Sequence, residues 1–416
     1  MPTESLKITT THGHELSGSL ELPTGLVRGA ALFAHCFTCT KQSKAATAVT
    51  RALAREGIAS LRFDFTGLGA SQGEFGRAGF ASDVEDLIVS AQYLVDRFDC
   101  PILLVGHSLG GAAVLAASAG LGRGNIAAVA TIGAPSDVPH VLHNIKGDLA
   151  QIEKDGEGEV SIGGRKFLLG REFLEQTREV DLLAMMAKLR VPLMIMHSPT
   201  DLIVGIDHAG KLFDAAKHPK SFVSLAGADH LLLDENDANF AARMIAAWAA
   251  RYMPNKAAPA MPEEGVMVHT GNGKFGTEVH TPRHRFVADE PASYGGDDSG
   301  STPYDLLLAA LGTCTAMTMK MYADRKQWPF EGTRVHVTHQ RNHAEDCDHC
   351  EDDGAQVQAL YRRIELLGDA LSDDQRQKIV AIADKCPVHR TLEGHLHIHT
   401  EAVGTSGRAI DPIAAK

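Results

Sequence analysis

At 416 residues the chain is too long for one ordinary hydrophobic core and suits two folding units, since domains settle at about 100 to 250 residues. Its 44% hydrophobic and 22% charged residues exclude a disordered or membrane-embedded chain, and a net charge of −12 without a Lys/Arg cluster argues against nucleic acid and anionic lipid as partners. The opening residues, MPTESLKITTTHGHELSG, have neither a basic n-region nor an apolar h-region, and no apolar run approaches the eighteen or so residues of a membrane span. A cytoplasmic location is expected. The seven cysteines, at positions 36, 39, 100, 314, 347, 350 and 386, are odd in number and scattered, which in a reducing compartment assigns them to packing, catalysis or metal binding rather than to a disulfide framework.

From Ser5 to about Arg251 apolar β-branched runs alternate with helical patterns, as in a mostly parallel sheet covered by helices on both faces. Strands are expected at 29–35, 58–65, 101–105, 127–133, 192–197 and 221–227, and the i, i+3, i+4, i+7 spacing of 80–98 predicts a helix. Residues 135–190 break the rhythm with a glycine-rich hairpin, VSIGGRKFLL, between two helical stretches, the composition of a small cap. RYMPNKAAPAMPEEGVMV (251–268) shifts to proline, alanine and charge, as an exposed linker does. Beyond it come strands with turns (VMVHTGNGKFGTEVHTPRHRFVADE), a long apolar helix (303–326), the strands TRVHVTHQR and QVQALYRRIELLG around an acidic loop, the helix SDDQRQKIVAIADKC and a last strand HLHIHTEAV. The expected division is an α/β domain over 1–252, a linker over 253–264, an α+β domain over 265–405 and a tail over 406–416.

Gly106-His107-Ser108-Leu109-Gly110 fits G-x-S-x-G, in which glycines flank the serine because the turn leaves no room for side chains. The pentapeptide alone is weak evidence; its context is not. PILLV precedes it as a buried strand and GAAVLAASAGL follows as a small-residue helix, which lifts the serine to the rim of the sheet. A serine hydroxyl needs a general base and an acid to orient that base. HSPTD puts Asp201 on the loop after the strand PLMIM, and GADH puts His230 on the loop after SFVSL. Asp201 could instead cap the helix that follows it, and His230 could be a structural histidine. His35 and His107 sit at strand ends, where packing and hydrogen bonding account for them.

The order Ser, Asp, His, each at a strand's carboxyl end, resembles the α/β-hydrolase superfamily over about residues 15 to 251. ALFAHCFTCTK resembles its oxyanion loop and FDFTGLGASQGEF its Asp-x-x-Gly-x-Gly-x-Ser segment. The resemblance implies a Ser108/His230/Asp201 triad and an oxyanion hole of the backbone N–H groups of Phe37 and Leu109, with Cys36 standing where glycine is usual. The triad serves several chemistries; a small carboxylic ester of short to medium acyl chain is the expected substrate, and no cofactor is called for.

In the second domain Cys314 lies within an apolar helix and Cys386 ends another. Such thiols are most often packing, although two of them facing each other could form a peroxide-reducing pair. GSTPYDLLLAALGTCTAMTMKMYADRK with ADKCPVHRTLEG resembles the OsmC/Ohr family of osmotically induced and hydroperoxide-resistance proteins over about 265 to 403. That resemblance implies an intertwined homodimer, with Cys314 and Cys386 reducing an organic hydroperoxide at the expense of a dithiol. Two positions depart from the family: Tyr304 and Asp305 follow Pro303 where a glutamate is expected, and Lys274 stands in place of a clear arginine. A binding or dimerisation module of the same fold, or a thiol peroxidase as the main activity, are the alternatives. The loop 339–353 gathers His339, His343, Cys347, His349 and Cys350, residue types that bind zinc, against the alternative of an exposed acidic loop. Cys36-Phe37-Thr38-Cys39 is a second C-x-x-C, but its place in an oxyanion loop argues against a thioredoxin-like role.

Overall fold

The structure, a computed structural model, describes residues 1–162, 164–253, 261–343, 356–403 and 409–410. They fall into two compact units, Met1–Gly300 and Ser301–Lys416.

The first unit begins with β1 (Thr3–Thr9) and β2 (Glu15–Glu21), followed by β3 (Gly29–Ala34), α1 (Lys44–Arg55), β4 (Ile58–Phe63), α2 (Phe75–Phe98), β5 (Ile102–His107), α3 (Leu109–Gly120) and β6 (Ile126–Ile132). Later come β10 (Leu193–His197), α7 (Ile206–Ala215), β11 (Lys220–Ser224) and α8 (Glu235–Ala249). One eight-stranded sheet in the order β1-β2-β4-β3-β5-β6-β10-β11 results. β1 and β2 pair antiparallel with each other, as does β2 with β4, and from β4 onward neighbouring strands run parallel.

Every residue of β3, β4 and β5 is buried, because helices cover both faces and each face needs its own apolar set. Period-two alternation divides the strands accordingly. Leu32, Leu61 and Leu104 point to a core shared with Leu87 and Leu94 of α2, while Phe33, Leu103 and Val105 point to one shared with Val49 and Leu53 of α1 and Ile245 of α8. α2 starts five residues before the expected Phe80 but breaks at Gly79, whose φ is 69°; the periodic stretch is the part beyond the break. The expected cap is a three-stranded sheet, β7 (Ile145–Lys146), β8 (Glu157–Ile162) and β9 (Arg165–Gly170), with α4 (Leu149–Asp155), α5 (Arg171–Glu179) and α6 (Leu182–Lys188).

Residues expected at the start of the second domain belong to the first unit. β12 (Met267–Thr270), β13 (Thr277–His280) and β14 (Arg285–Ala288) form an antiparallel sheet, and the Asn272 N–H donates to the Thr24 carbonyl at 2.9 Å. The buried Glu278 carboxylate takes the Leu26 N–H at 3.1 Å and pairs with Arg28. These bonds satisfy polar groups that the linker composition near 258 does not reveal.

The second unit is built on α9 (Pro303–Arg325), opened by a Thr302/Asp305 capping box. β15 (Gly332–His343) and β16 (Gln356–Leu367) pair antiparallel along their whole length, followed by α10 (Asp373–Ala383) and α11 (Pro387–Glu393). Met319 and Ala323 of α9 are buried with Leu371, Ile379 and Ala383. Two expectations need correction. By length and composition α9 is apolar enough to cross a membrane, although the sequence was expected to contain no such stretch; the helix packs against β15, α10 and α11 and buries Leu311, Met319 and Ala323, while Leu307, Met317 and Met321 stay exposed. The expected last strand, HLHIHTEAV, is a strand only at β17 (Ala402–Val403), paired with β18 (Ala409–Ile410). Residues 395–400 find no partner strand among the described residues, and Ile398 is 90% exposed.

Two buried histidines close the carboxyl ends of β3 and β5. His35 donates from Nδ1 to the Cys36 carbonyl at 2.9 Å, and His107 from Nε2 to the His230 carbonyl at 2.7 Å. The opposite nitrogen of each ring is buried with no hydrogen-bond partner among the described residues, so a second proton would have no acceptor. Burial accordingly lowers both imidazoles to about 4. Between about pH 6.5 and 4 the unfolded chain takes up these protons and the folded chain does not, so stability falls as pH falls through that window. His107→Asn should shallow the slope there by up to about 1.4 kcal/mol per pH unit, read from urea melts across the range. In the first turn of α3, a Cβ on Gly110 would lie 2.4 Å from the His35 carbonyl oxygen and 2.5 Å from that of Ala34. Gly110→Ala should therefore cost about 1–3 kcal/mol of unfolding free energy, measurable by the same melts.

Candidate active site

Ser108 sits between β5 and α3 with φ 56° and ψ −124°, a conformation that a non-glycine residue adopts only when its surroundings enforce it. The Ser108 N–H donates to the Ile132 carbonyl at 2.8 Å and its carbonyl accepts from Gly111 at 2.8 Å. Gly106 and Gly110 make the crossing possible, since a Cβ on Gly106 would approach the Gly110 carbonyl oxygen to 2.3 Å. The hydroxyl is thereby held at the upper rim of the sheet.

The other two expected residues converge on it. His230 Nε2 lies 2.9 Å from Ser108 Oγ, and His230 Nδ1 lies 2.7 Å from Asp201 Oδ2. The loop after β10 directs the carboxylate: Asp201 Oδ1 takes the N–H groups of Ile203 at 2.8 Å and Val204 at 2.9 Å, which leaves Oδ2 to the imidazole. Asp201 does not cap α7, whose N-cap is Gly205. His197 donates from Nε2 to the Val204 carbonyl at 2.8 Å and steadies the same loop. Burial works to raise the Asp201 carboxyl, but the hydrogen bond from His230 and those from Val204 and Ile203 outweigh it and hold the group below the ordinary carboxylate range. His230 is fixed in turn through its carbonyl, which accepts from His107. An ionised carboxylate, an imidazole and a hydroxyl in hydrogen-bonded sequence can pass a proton from the hydroxyl to the imidazole.

A cavity of about 580 Å³ opens over Ser108 and His230. Phe37 and Leu109, the expected oxyanion donors, both line it, as do Val141, Ile162, Ile203 and Leu231 from the cap and the loops. The loop carrying Phe37 is anchored at Lys41, whose N–H and ammonium both donate to Asp64 at 2.7 Å. Asp64 opens the segment DFTGLGAS, so that motif's part here is to tether the loop.

Two features of this loop were not foreseen. Arg165 of β9 donates to the Thr38 carbonyl at 2.8 Å, tying the cap to the loop. Cys36 and Cys39 form a disulfide, which corrects the assignment of all seven cysteines to packing, catalysis or metal. Three residues of separation across a tight turn bring the Cα atoms to 5.2 Å, within disulfide reach; the C-x-x-C spacing was the available signal.

In the second unit Cys314 and Cys386 are free thiols brought side by side, Cys314 half-buried and Cys386 buried. Burial works to raise the Cys386 thiol, but the His389 N–H, at 3.3 Å, together with hydrogen bonds from Cys314 and Thr315 and the nearby Arg362 guanidinium, holds it below its ordinary value. The cation near this pair is thus Arg362 of β16, which donates to Thr315 Oγ1 at 3.1 Å and Asp384 at 2.6 Å. Lys274, the expected stand-in, lies in the first unit with its ammonium over the Phe275 ring. Tyr304 stacks on His339 with ring centroids 4.5 Å apart, and Asp305 serves the capping box. Cys347, His349 and Cys350 lie outside the described residues, as does the side chain of His343. Among the described residues no three or more His, Cys, Asp or Glu side chains cluster as metal ligands would.

Comparison with known proteins bears on both units. A family profile described as "Alpha/beta hydrolase family" matches residues 26–243, and one described as "OsmC-like protein" matches 296–401. The solved esterase domain of a Rhodothermus marinus protein is 46% identical, with a TM-score of 0.51, over 61% of this chain and 99% of that one. Est1E from Butyrivibrio proteoclasticus, solved with ferulic acid bound, is 20% identical with a TM-score of 0.52, over 59% of this chain and 98% of that one, a likeness of fold alone. The uncharacterized protein YfhR of Escherichia coli is 24% identical over 169 residues, 41% of this chain and 52% of that protein, so the chain spans about half the length of the curated relatives it matches. With a hydrolase profile covering more than half of its residues and an esterase domain matched nearly end to end, the chain belongs to the α/β-hydrolase family and carries an OsmC-like domain after the hydrolase fold.

Proposed function

We propose that the hydrolase unit cleaves carboxylic esters of short to medium acyl chain through an acyl-enzyme on Ser108. The observation that carries this reading is the unbroken line from Ser108 Oγ through His230 to Asp201 on the floor of an apolar-walled cavity. Ser108 Oγ attacks the ester carbonyl as His230 Nε2 takes its proton, and the ionised Asp201 holds the imidazole and stabilises the imidazolium. The backbone N–H groups of Phe37 and Leu109 receive the oxyanion, where donors fixed in advance stabilise charge that forms only in the transition state. His230 returns the proton to the departing alcohol, and a water molecule activated by the same imidazole releases the acid. The 46% identity to a domain named as an esterase supports ester over other acyl substrates.

Ser108→Ala should remove fluorophosphonate labelling and lower kcat on p-nitrophenyl butyrate by about 10⁴-fold or more. Asp201→Asn should lower kcat by about 10⁴-fold while the protein still melts as a folded chain, because the amide favours the wrong imidazole tautomer. Unchanged turnover in either variant would sink the assignment.

A second reading of the OsmC-like unit rests on the adjacent thiols. One of the two thiols, as thiolate, attacks an organic hydroperoxide, giving a sulfenic acid and an alcohol; the other condenses with it to a disulfide and water, and an external dithiol restores both thiols. The exposed apolar side of α9, with Met321 73% exposed, supports a homodimer formed through this unit. Cys314→Ser should stop dithiol-dependent consumption of cumene hydroperoxide, followed by loss of the peroxide; consumption at the wild-type rate excludes the reading.

A further inference from the structure

The disulfide between Cys36 and Cys39 closes the turn Cys36-Phe37-Thr38-Cys39, and the Cys39 N–H donates to the Cys36 carbonyl at 3.0 Å. Thr38, the third residue of the turn, has φ 60°. A turn with positive φ at that position ordinarily takes glycine, and a β-branched residue is a poor occupant of the left-handed region. Something must hold the turn in a conformation its own sequence disfavours. The Arg165 bond to the Thr38 carbonyl is one restraint, and the covalent link between the ends of the turn is the other. Phe37 lies inside that link, so the direction of its N–H depends on the turn remaining closed.

Both cysteines line the cavity that contains Ser108 and His230. Cys36 is buried, whereas Cys39 is half-buried and open to a small molecule entering by the ester route. We propose that the Cys36–Cys39 disulfide is a thiol-reversible positioning element of the oxyanion hole, holding the hydrolase active when oxidised and lowering its turnover when a small dithiol reduces it. The inference rests on the ester-hydrolase reading given above. A thiolate of the dithiol attacks Cys39 Sγ, and Cys36 leaves with the bonding electron pair. The second thiol of the reagent then attacks its own sulfur in the mixed disulfide and releases Cys39. The dithiol ends as a cyclic disulfide, oxidised by two electrons, and Cys36 and Cys39 end as two thiols. Freed of the link, the turn relaxes at Thr38 and the Phe37 N–H no longer points to a fixed place, which matters most in the transition state.

The test uses the full chain, oxidised or treated anaerobically with dithiothreitol and then desalted, so that the reagent does not itself cleave the p-nitrophenyl ester. Alkylation and mass spectrometry of the 36–39 peptide report its redox state. The expected result is a fall in kcat of about a hundred-fold with KM little changed, reversed by reoxidation. Cys36→Ser/Cys39→Ser should show the low kcat in both states. A reduced protein as fast as the oxidised one, a disulfide that the dithiol leaves intact, a change confined to KM, or a double variant that still responds to reductant each overturns the proposal. Because wild-type reduction is read directly, poor folding of the variant does not rescue it. An oxidised protein that hydrolyses no ester overturns the ester-hydrolase reading along with this one, whereas hydrolysis indifferent to reduction overturns this one alone.

Discussion

The close approach of backbone to backbone at the turn between β5 and α3 is the constraint on which the hydrolase unit depends. Gly110 lies against the carbonyl oxygens of Ala34 and His35, and Gly106 against that of Gly110, at separations that no side chain could share. This contact joins the strand bearing Ser108 to the strand that leads into the Phe37 loop. Ser108 and Phe37 thus closely follow neighbouring strands of one sheet, β5 and β3. A sheet buried on both faces provides the rigidity that makes such placement reproducible.

The electrostatics follow from the same burial. Neutral His35 and His107 occupy the strand ends because each ring donates to a carbonyl and finds no acceptor for a second proton. Asp201, close to His107, remains ionised, since two backbone N–H groups and an imidazole hydrogen-bond its carboxylate. The difference lies in the number of donors supplied to each group rather than in depth of burial alone. The cap adds apolar walls and, through Arg165, a tie to the Thr38 carbonyl, so the element that shapes the cavity also braces the loop carrying Phe37.

The OsmC-like unit follows different packing rules. α9 carries apolar residues on more of its surface than the unit itself covers, and the buried set centred on Met319 and Ile379 is small. Its two thiols, Cys314 and Cys386, are adjacent although they lie 72 positions apart in the chain, because α9 and the turn before α11 meet next to β16. Arg362 from β16 supplies the local cation that the early glycine turn was expected to supply.

By itself the sequence determined the order of strands and helices, the elbow, and the three residues Ser108, Asp201 and His230, since each depends on local periodicity or on a residue type at a strand end. The sheet order and the convergence of three loops on one point follow from parallel connections whose geometry leaves little choice. Tertiary structure alone decided the rest. Residues 267–288 read locally as strands of a second domain but lie with the first unit, because Glu278 and Asn272 satisfy polar groups of residues 23–28. HLHIHTEAV alternates as a strand should, yet residues 395–400 have no ladder to join among those described. The G-x-S-x-G turn was legible because its glycines are required locally. The Arg165 brace was not, because it depends on where a long side chain ends up in space; for Cys36 and Cys39 the C-x-x-C spacing was a signal, but only the turn that brings their Cα atoms to 5.2 Å decided that they bond.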